Sequence, residues 1–417
     1  MSEKTLANRA LTLLLSTLFL CALTAYSGYY VISTLLVNLA NSFTVSIGTA
    51  SQLVLAGSLT SLIVGIGMSA ISIRIRHKLL LLSGIAIFAV GNIFFAFSPN
   101  FATALFAQLL GATGLVMILV MAYALIGDLL PLEKRGWAVG LVISGVMISG
   151  VVVAPVAGFI ASVAGWRMVF LWFIVPLSII CLATSYFVLP SSQPLTQAIK
   201  PSYMQAIKKI FLRKSPIACA VSAALVGSLG VVPLYAVSFY RTDFSVSPTL
   251  GGIFLSLSGV GGFIGGIAGG RFVNRFGRKP LAVIAVFISG ISAVLFTFVP
   301  FLALSVGIWI IAAFTVGLTL ASLGSLSLEQ VPEFRGSMMS INSFFDSSGL
   351  ILGVILGGFI LNVYHNNFHL LMVLIGTLGA TAAAILFLLA KDPCRSGLQK
   401  KAIDDSQQGQ ASGPIID

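Results

Sequence analysis

A carboxylate in the middle of an apolar run is the first place in this 417-residue chain where chemistry can be located. Of the eleven acidic residues, Glu3, Asp128, Glu133, Asp243, Glu329, Glu333, Asp392, Asp404, Asp405 and Asp417 fall at the ends of apolar runs, in polar loops or near the chain ends. Asp346 does not. It stands ten residues beyond Gly336, which at 1.5 Å per helical residue is about 15 Å, roughly the middle of a ~30 Å hydrocarbon layer. A charge left there facing lipid costs on the order of 2.5–3.5 kcal/mol, so Asp346 is expected to face a water-accessible cavity or a partner. Asn342, Ser343 and Gly349, at i−4, i−3 and i+3, put polar and small groups on its face. A carboxyl so placed suits a carrier of one proton; the plainer alternative is a neutral Asp hydrogen-bonded for packing.

Tyr26 and Tyr30 share one helical face, and Gln52, Gln108, Tyr235, Asn342 and Asn38 are uncharged polar groups within or near the ends of apolar runs. With Ser343 they form the candidate substrate surface, although packing or interfacial anchoring accounts for any one of them equally well. One carboxylate, no intramembrane base and many aromatics together suit a lipophilic, neutral or cationic solute. A sugar site would need more amides, and an anion site an Arg or Lys at mid-depth. No nucleophile–base pair and no metal-ligand spacing is visible, so no enzyme, cofactor or metal is expected. Cys21, Cys181, Cys219 and Cys394 read as four free thiols.

Elements of a particular kind must carry these groups. The chain is 58% hydrophobic and only 8% charged, with a mean hydropathy of +1.07. A soluble domain carries roughly 25% charged residues. Backbone crossing hydrocarbon must satisfy its own hydrogen bonds, which leaves helices and closed barrels, and the long non-alternating runs here exclude barrel strands. The reading is an all-α polytopic membrane protein with twelve spans, near 11–37, 48–72, 79–98, 101–124, 137–164, 168–189, 216–240, 250–271, 280–300, 302–327, 337–363 and 368–390. The first run is too long for a signal-peptide core and is kept as a span. Of the 23 Lys and Arg residues, all but Arg167 and Arg241 fall on the side that carries both chain ends. By the positive-inside rule that side is cytoplasmic, which accounts for the +12 net charge without a nucleic-acid partner.

The chain also repeats. Gly57, Ser61, Gly65 and Ser69 recur as Ser258, Gly262, Gly266 and Gly270, 201 positions on. The same offset relates Arg74 to Arg275, Lys78 to Lys279, Asp128 to Glu329 and Pro131 to Pro332. Arg135–Gly136 and Arg335–Gly336 follow at 200, then Gly150, Ala154 and Gly158 against Gly349, Gly353 and Gly357 at 199. Landmarks in one order indicate duplication into two six-span halves, 1–189 and 216–390. The polar stretch 190–215 between them has Tyr203, Ile207, Ile210 and Phe211 at helical spacing beside five basic residues, as expected of an amphipathic helix on an anionic leaflet. The tail, 391–417, is polar and aperiodic, and is expected to be disordered.

The segment Gly270-Arg-Phe-Val-Asn274-Arg275-Phe-Gly277-Arg278-Lys279 resembles the signature loop of the major facilitator superfamily, with Asn274 in place of its Asp. The first-half copy, Ile73-Arg74-Ile75-Arg76-His77-Lys78, lacks both the Asp and the Gly. Gly150-Val-Val-Val-Ala154-Pro155-Val-Ala-Gly158, followed by Gly165-Trp166-Arg167, is similar to the element marking the twelve-span drug:proton antiporter branch of that superfamily. Ala107-Gln108-Leu109-Leu110-Gly111 resembles a further motif of the superfamily, without its Arg. The resemblance implies the major facilitator fold and a secondary transporter in a prokaryotic inner membrane, working as a monomer on a small molecule. It also implies proton-coupled export of an amphipathic solute, with the 270–279 loop as a conformational latch. Uptake on the same fold and a non-transporting sensor or scaffold are the alternatives.

Overall fold

The computed structural model describes the backbone of residues 3–71, 75–130, 132–190, 210–331 and 335–392. It describes their side chains except at 3–10, 69–70, 132–137, 274, 335–337 and 340. Most of the expected amphipathic linker and nearly all of the tail therefore lie outside the described residues. Among those described there is no strand.

Among the described residues, twelve helices are long and apolar enough to cross a membrane. In the first half these are α1 (Leu11–Ser42), α2 (Ile47–Met68), α3 (His77–Ala96), α4 (Phe101–Leu129), α5 (Ala138–Ala164) and α6 (Trp166–Val188). The second half has α7 (Lys214–Asp243), α8 (Pro248–Val273), α9 (Arg278–Phe298), α10 (Leu302–Leu328), α11 (Ile341–Val363) and α12 (Phe368–Leu389). An even number of spans puts the start of α1 and the end of α12 on one face, here called proximal; the other is distal.

The distal turns are short and locally specified. Ser46, Asn100, Ser247 and Asn367 each accept a bond from a backbone N–H of the helix that follows, satisfying donors a helix start leaves orphaned. Gly165 turns α5 into α6 with φ +86°, a conformation L side chains rarely adopt. Arg167 then lies 4.3 Å over the Trp166 ring and donates to the Ser98 carbonyl at 3.1 Å, tying α6 to the α3–α4 turn. The Gly165-Trp166-Arg167 element is thus structural cement at the distal end of the first half.

Three spans depart from the regular helix the hydropathy suggests. α2 is interrupted at Ser51. α6 contains a π turn at Phe170–Ile174. α7 breaks into Lys214–Ser228, a 3-10 turn Leu229–Val231, and Val232–Asp243. Pro233, at the start of the last segment, has no N–H to give to the turn before it. Pro155, by contrast, sits inside a helix that continues past it.

The halves meet along α1 with α7, α2 with α11 and α5 with α8. Their bonds gather toward the distal face: Arg241 of α7 donates to Asn38 of α1, Ser46 bonds Asn362, and Thr249 of α8 donates to the Gly158 carbonyl of α5 at 3.3 Å. The small residues of α5 make this approach possible. A Cβ on Gly158 would stand 2.4 Å from the Pro248 carbonyl oxygen, and one on Gly252 would stand 2.3 Å from that of Ala154. Helices in lipid associate through such close packing.

Candidate functional site

Between the halves lies a cavity of about 1320 Å³. Trp309, Phe88 and Asn92 line it, as do Ile66 and Tyr123 toward the proximal ends of α2 and α4 and Met339 just before α11. The distal contacts close it on the other side. The walls are mostly apolar and aromatic, and Asp346 is the one charged side chain among the described residues that lines it.

Asp346 owes its position to the packing of α11 on α7. A Cβ on Gly227 would fall 2.1 Å from the Asp346 carbonyl oxygen, and one on Gly349 would fall 1.7 Å from that of Ala224. With the backbone seated so closely, the carboxyl turns away from α7 into the cavity, half-buried. Tyr26 of α1, from the other half, is in electrostatic contact with it and also with Tyr123 of α4, which lines the same cavity. Tyr26, Tyr29 and Tyr30 form an edge-to-face series, with ring centroids 6.5 Å and 5.3 Å apart. That is a favourable aromatic arrangement, and a cation can be held against such faces.

Of the residues expected to form the substrate surface, Tyr26, Tyr30, Gln108 and Ser343 line the cavity with Asp346. Four are placed elsewhere, among them Asn38, which accepts from Arg241 at the distal contact. Tyr235 is fully buried and donates to the Val354 carbonyl at 3.2 Å. Asn342 accepts from Ser327 of α10 at 3.2 Å, away from the cavity. Gln52 is exposed at the distal start of its helix. Residues that the sequence did not single out, Tyr29, Asn92, Tyr123 and Trp309, take part instead.

Gly150 borders Tyr30, whose ring would stand 2.7 Å from a Cβ there, so the small-residue face of α5 shapes the cavity wall as well as the contact between halves. Ala154 and Pro155 both meet Gly252 of α8.

The proximal loops carry the duplication in their contacts. His77 Nδ1 lies 2.6 Å from Asp128, and Arg278 lies 3.8 Å from Glu329, each partner 201 positions further along. Likewise Lys78 stands 5.5 Å over the Tyr186 ring and Lys279 stands 5.8 Å over that of Phe387. In the 270–279 loop, Gly277 turns the chain with φ +88° and Arg275 lies over Phe276. Gly270 has open space where a Cβ would be, and the Asn274 side chain lies outside the described residues. No group of three or more His, Cys, Asp or Glu that could hold a metal occurs among the described residues.

Twelve spans in two packed halves around a central cavity define the architecture of a membrane transporter. The family model of the Major Facilitator Superfamily matches residues 18–240 and again 217–405, and the chain belongs to that family. It is 23% identical over 366 residues to the uncharacterized MFS-type transporter YbcL of Bacillus subtilis, covering 86% of this chain and 91% of that one. It is 22% identical to the quinolone resistance protein NorA of Staphylococcus aureus, covering 84% and 89%. Among solved structures, a bacterial homologue of the human lysosomal transporter Spinster, inward-facing and unoccupied, matches with a TM-score of 0.73 at 19% identity, over 90% of this chain and 96% of that one. The protein is therefore an integral membrane transporter of a small molecule, not an enzyme.

Proposed function

We propose that this transporter exports a small amphipathic, neutral or cationic solute in exchange for protons, with Asp346 as the proton-carrying group. The observation that carries the reading is the solitary carboxyl on an otherwise uncharged, aromatic cavity wall. Held between two halves that meet through close small-residue contacts, such a group can be offered to one face and then the other by rocking. When Asp346 is protonated, the cavity is neutral and releases a cation; when it is ionised, it attracts one. A relative named quinolone resistance protein supports a drug-like solute.

The positive-inside distribution supports a cytoplasmic proximal face, so the cavity faces the cytoplasm and the distal contacts hold the outer side shut. A prokaryotic inner membrane and a monomeric working unit belong to the same proposal. Gly270, Asn274, Arg275, Gly277, Arg278 and Lys279 would form the latch loop of the inner face, and Gly150, Ala154, Pro155 and Gly158 the packing surface on which the halves move.

Asp346→Asn tests the central claim, because Asn keeps the size and hydrogen-bonding capacity of a protonated Asp but cannot titrate. In liposomes, pH-gradient-driven flux of tetraphenylphosphonium, a cation with no proton of its own, should fall at least tenfold, and cation-induced proton release in detergent should vanish. Coupled flux that survives the substitution removes Asp346 as the proton carrier. Flux that runs inward with the proton gradient makes the protein an importer.

A further inference from the structure

The cavity residue with the most specific bond between the halves is Tyr29. Its hydroxyl donates across the cavity to the Gly230 carbonyl at 3.2 Å, and Gly230 lies within the 3-10 break of α7. Irregular backbone at membrane depth is tolerated where it lines a cavity or finds partners. Tyr29 is such a partner, and it comes from the opposite half.

The break is connected on both sides. Below it, α11 rides on α7 with almost no clearance: Gly349 is pressed to Ala224, Gly227 to the Asp346 backbone, and Gly353 to Ser228, whose carbonyl oxygen would lie 2.9 Å from a Cβ there. A displacement of α11 at Asp346 cannot be absorbed at those contacts and must move residues 227–231. Above it, Val232–Asp243 is a short helix bound to both halves. Tyr235 donates to Val354 of α11, and Arg241 donates to Asn38 of α1 at the distal closure. α1, which carries both Tyr29 and Asn38, thus grips the distal segment of α7 at its two ends.

We propose that Tyr29 is a positioning residue whose bond to the Gly230 carbonyl passes the state of Asp346, through the broken segment of α7, to the distal closure. This rests on the reading of Asp346 as the proton-carrying group. The titratable group in electrostatic contact with Asp346 is Tyr26 of α1, which also meets Tyr123 of α4. α7 presents Gly227 to the Asp346 backbone and Ala224 and Ser228 to Gly349 and Gly353 of α11, and none of the three titrates.

The test uses protons alone, so it does not depend on knowing the solute. Ser51 is buried at the distal contact between α2 and α11, with its hydroxyl 3.3 Å from where a Gly358 Cβ would be. The reactivity of a Ser51→Cys variant of the full-length protein toward a membrane-impermeant thiol reagent therefore reports distal opening. Divided by the rate of a free small thiol at the same pH, which removes ionisation of the thiol itself, it should change several-fold in the otherwise wild-type chain between about pH 6 and pH 8, and Asp346→Asn should remove that response. Tyr29→Phe, which deletes one hydroxyl, should also remove the response while leaving Asp346 in place. Tyr240→Phe, which deletes a hydroxyl bonded to Ser305 of α10 within one half, should retain it. If Tyr29→Phe responds as the parent does while Asp346→Asn does not, the proposal is overturned and the proton-carrier reading stands. Loss of the response in both tyrosine variants overturns it as well, since general loosening would then suffice. A parent chain with no pH response overturns both ideas together.

Discussion

Tyr29 and Tyr235 show how little a residue's type says about its job in this protein. Both are tyrosines in apolar runs, and both donate their hydroxyl to a carbonyl at 3.2 Å. One bond crosses the cavity between halves; the other joins α7 to α11 in a fully buried site. Tyr235→Phe should cost about 0.5–1.5 kcal/mol, the net worth of an ordinary hydrogen bond. It should lower the melting temperature by a few degrees and leave transport of tetraphenylphosphonium within about twofold of the parent. A larger loss of flux at unchanged stability would give Tyr235 the substrate role that its sequence position suggested. Asp346 was legible from the sequence because a lone charge in an apolar run has few explanations. Tyr235, Asn342 and Gln52 were not, for a physical reason. A helix that meets lipid on one side and protein on the other is apolar all round, so periodicity does not say which side faces the cavity.

At the scale of elements, small residues were legible as packing surfaces, but the partners they admit were not. Gly158 and Ala154 admit a neighbouring helix, and that neighbour is α8 of the other half. Gly158→Leu places an isobutyl group where even a Cβ is 2.4 Å from the Pro248 oxygen. It should therefore force α5 and α8 apart at the distal face and cost about 1–3 kcal/mol. Because the distal-closed state uses this contact and a distal-open state separates it, the substitution should favour opening. The same change at lipid-exposed Phe159, its neighbour in α5, should leave transport near normal. Comparable flux in Gly158→Leu and Phe159→Leu would remove the moving-interface role. The α7 break had no such signal: Gly230 and Pro233 are ordinary residues for a membrane span, and only the three-dimensional context makes their turn a junction.

The whole molecule is a duplication whose two copies have diverged in charge. The offset of 201 that aligned Asp128 with Glu329 in the sequence proves to align a pair of contacts, His77 with Asp128 and Arg278 with Glu329. One copy uses an imidazole where the other uses a guanidinium. The halves are thus built alike at the proximal face, yet the cavity between them is asymmetric, with the carboxyl on α11 and the tyrosines on α1 and α4. Besides close helix packing and the bonds of Tyr29 to Gly230 and Ser256 to Val151, the two are held in this state by a small set of distal bonds, of which Arg241 to Asn38 is the charge-assisted one.

That bond joins α7 of one half to α1 of the other, and it is absent from any state in which the distal ends have parted. Its contribution therefore belongs wholly to the difference between the two states. A hydrogen bond with one charged partner is worth roughly 1.5–3 kcal/mol net, which corresponds to at least a tenfold shift in a two-state balance. Arg241→Gln keeps a long polar side chain but removes the charge, and so should recover only part of the bond. Labelling at Ser51→Cys should consequently rise several-fold at fixed pH, while its dependence on pH, which runs through Asp346 and Tyr29, should persist on a shifted baseline. Asn38→Ala should raise labelling in the same direction by leaving the guanidinium without that partner, and the double variant should do little more than either single one, since both break one bond. Additive effects would mean that Arg241 and Asn38 act on the distal closure independently, and unchanged labelling in all three would remove the pair from the closure altogether.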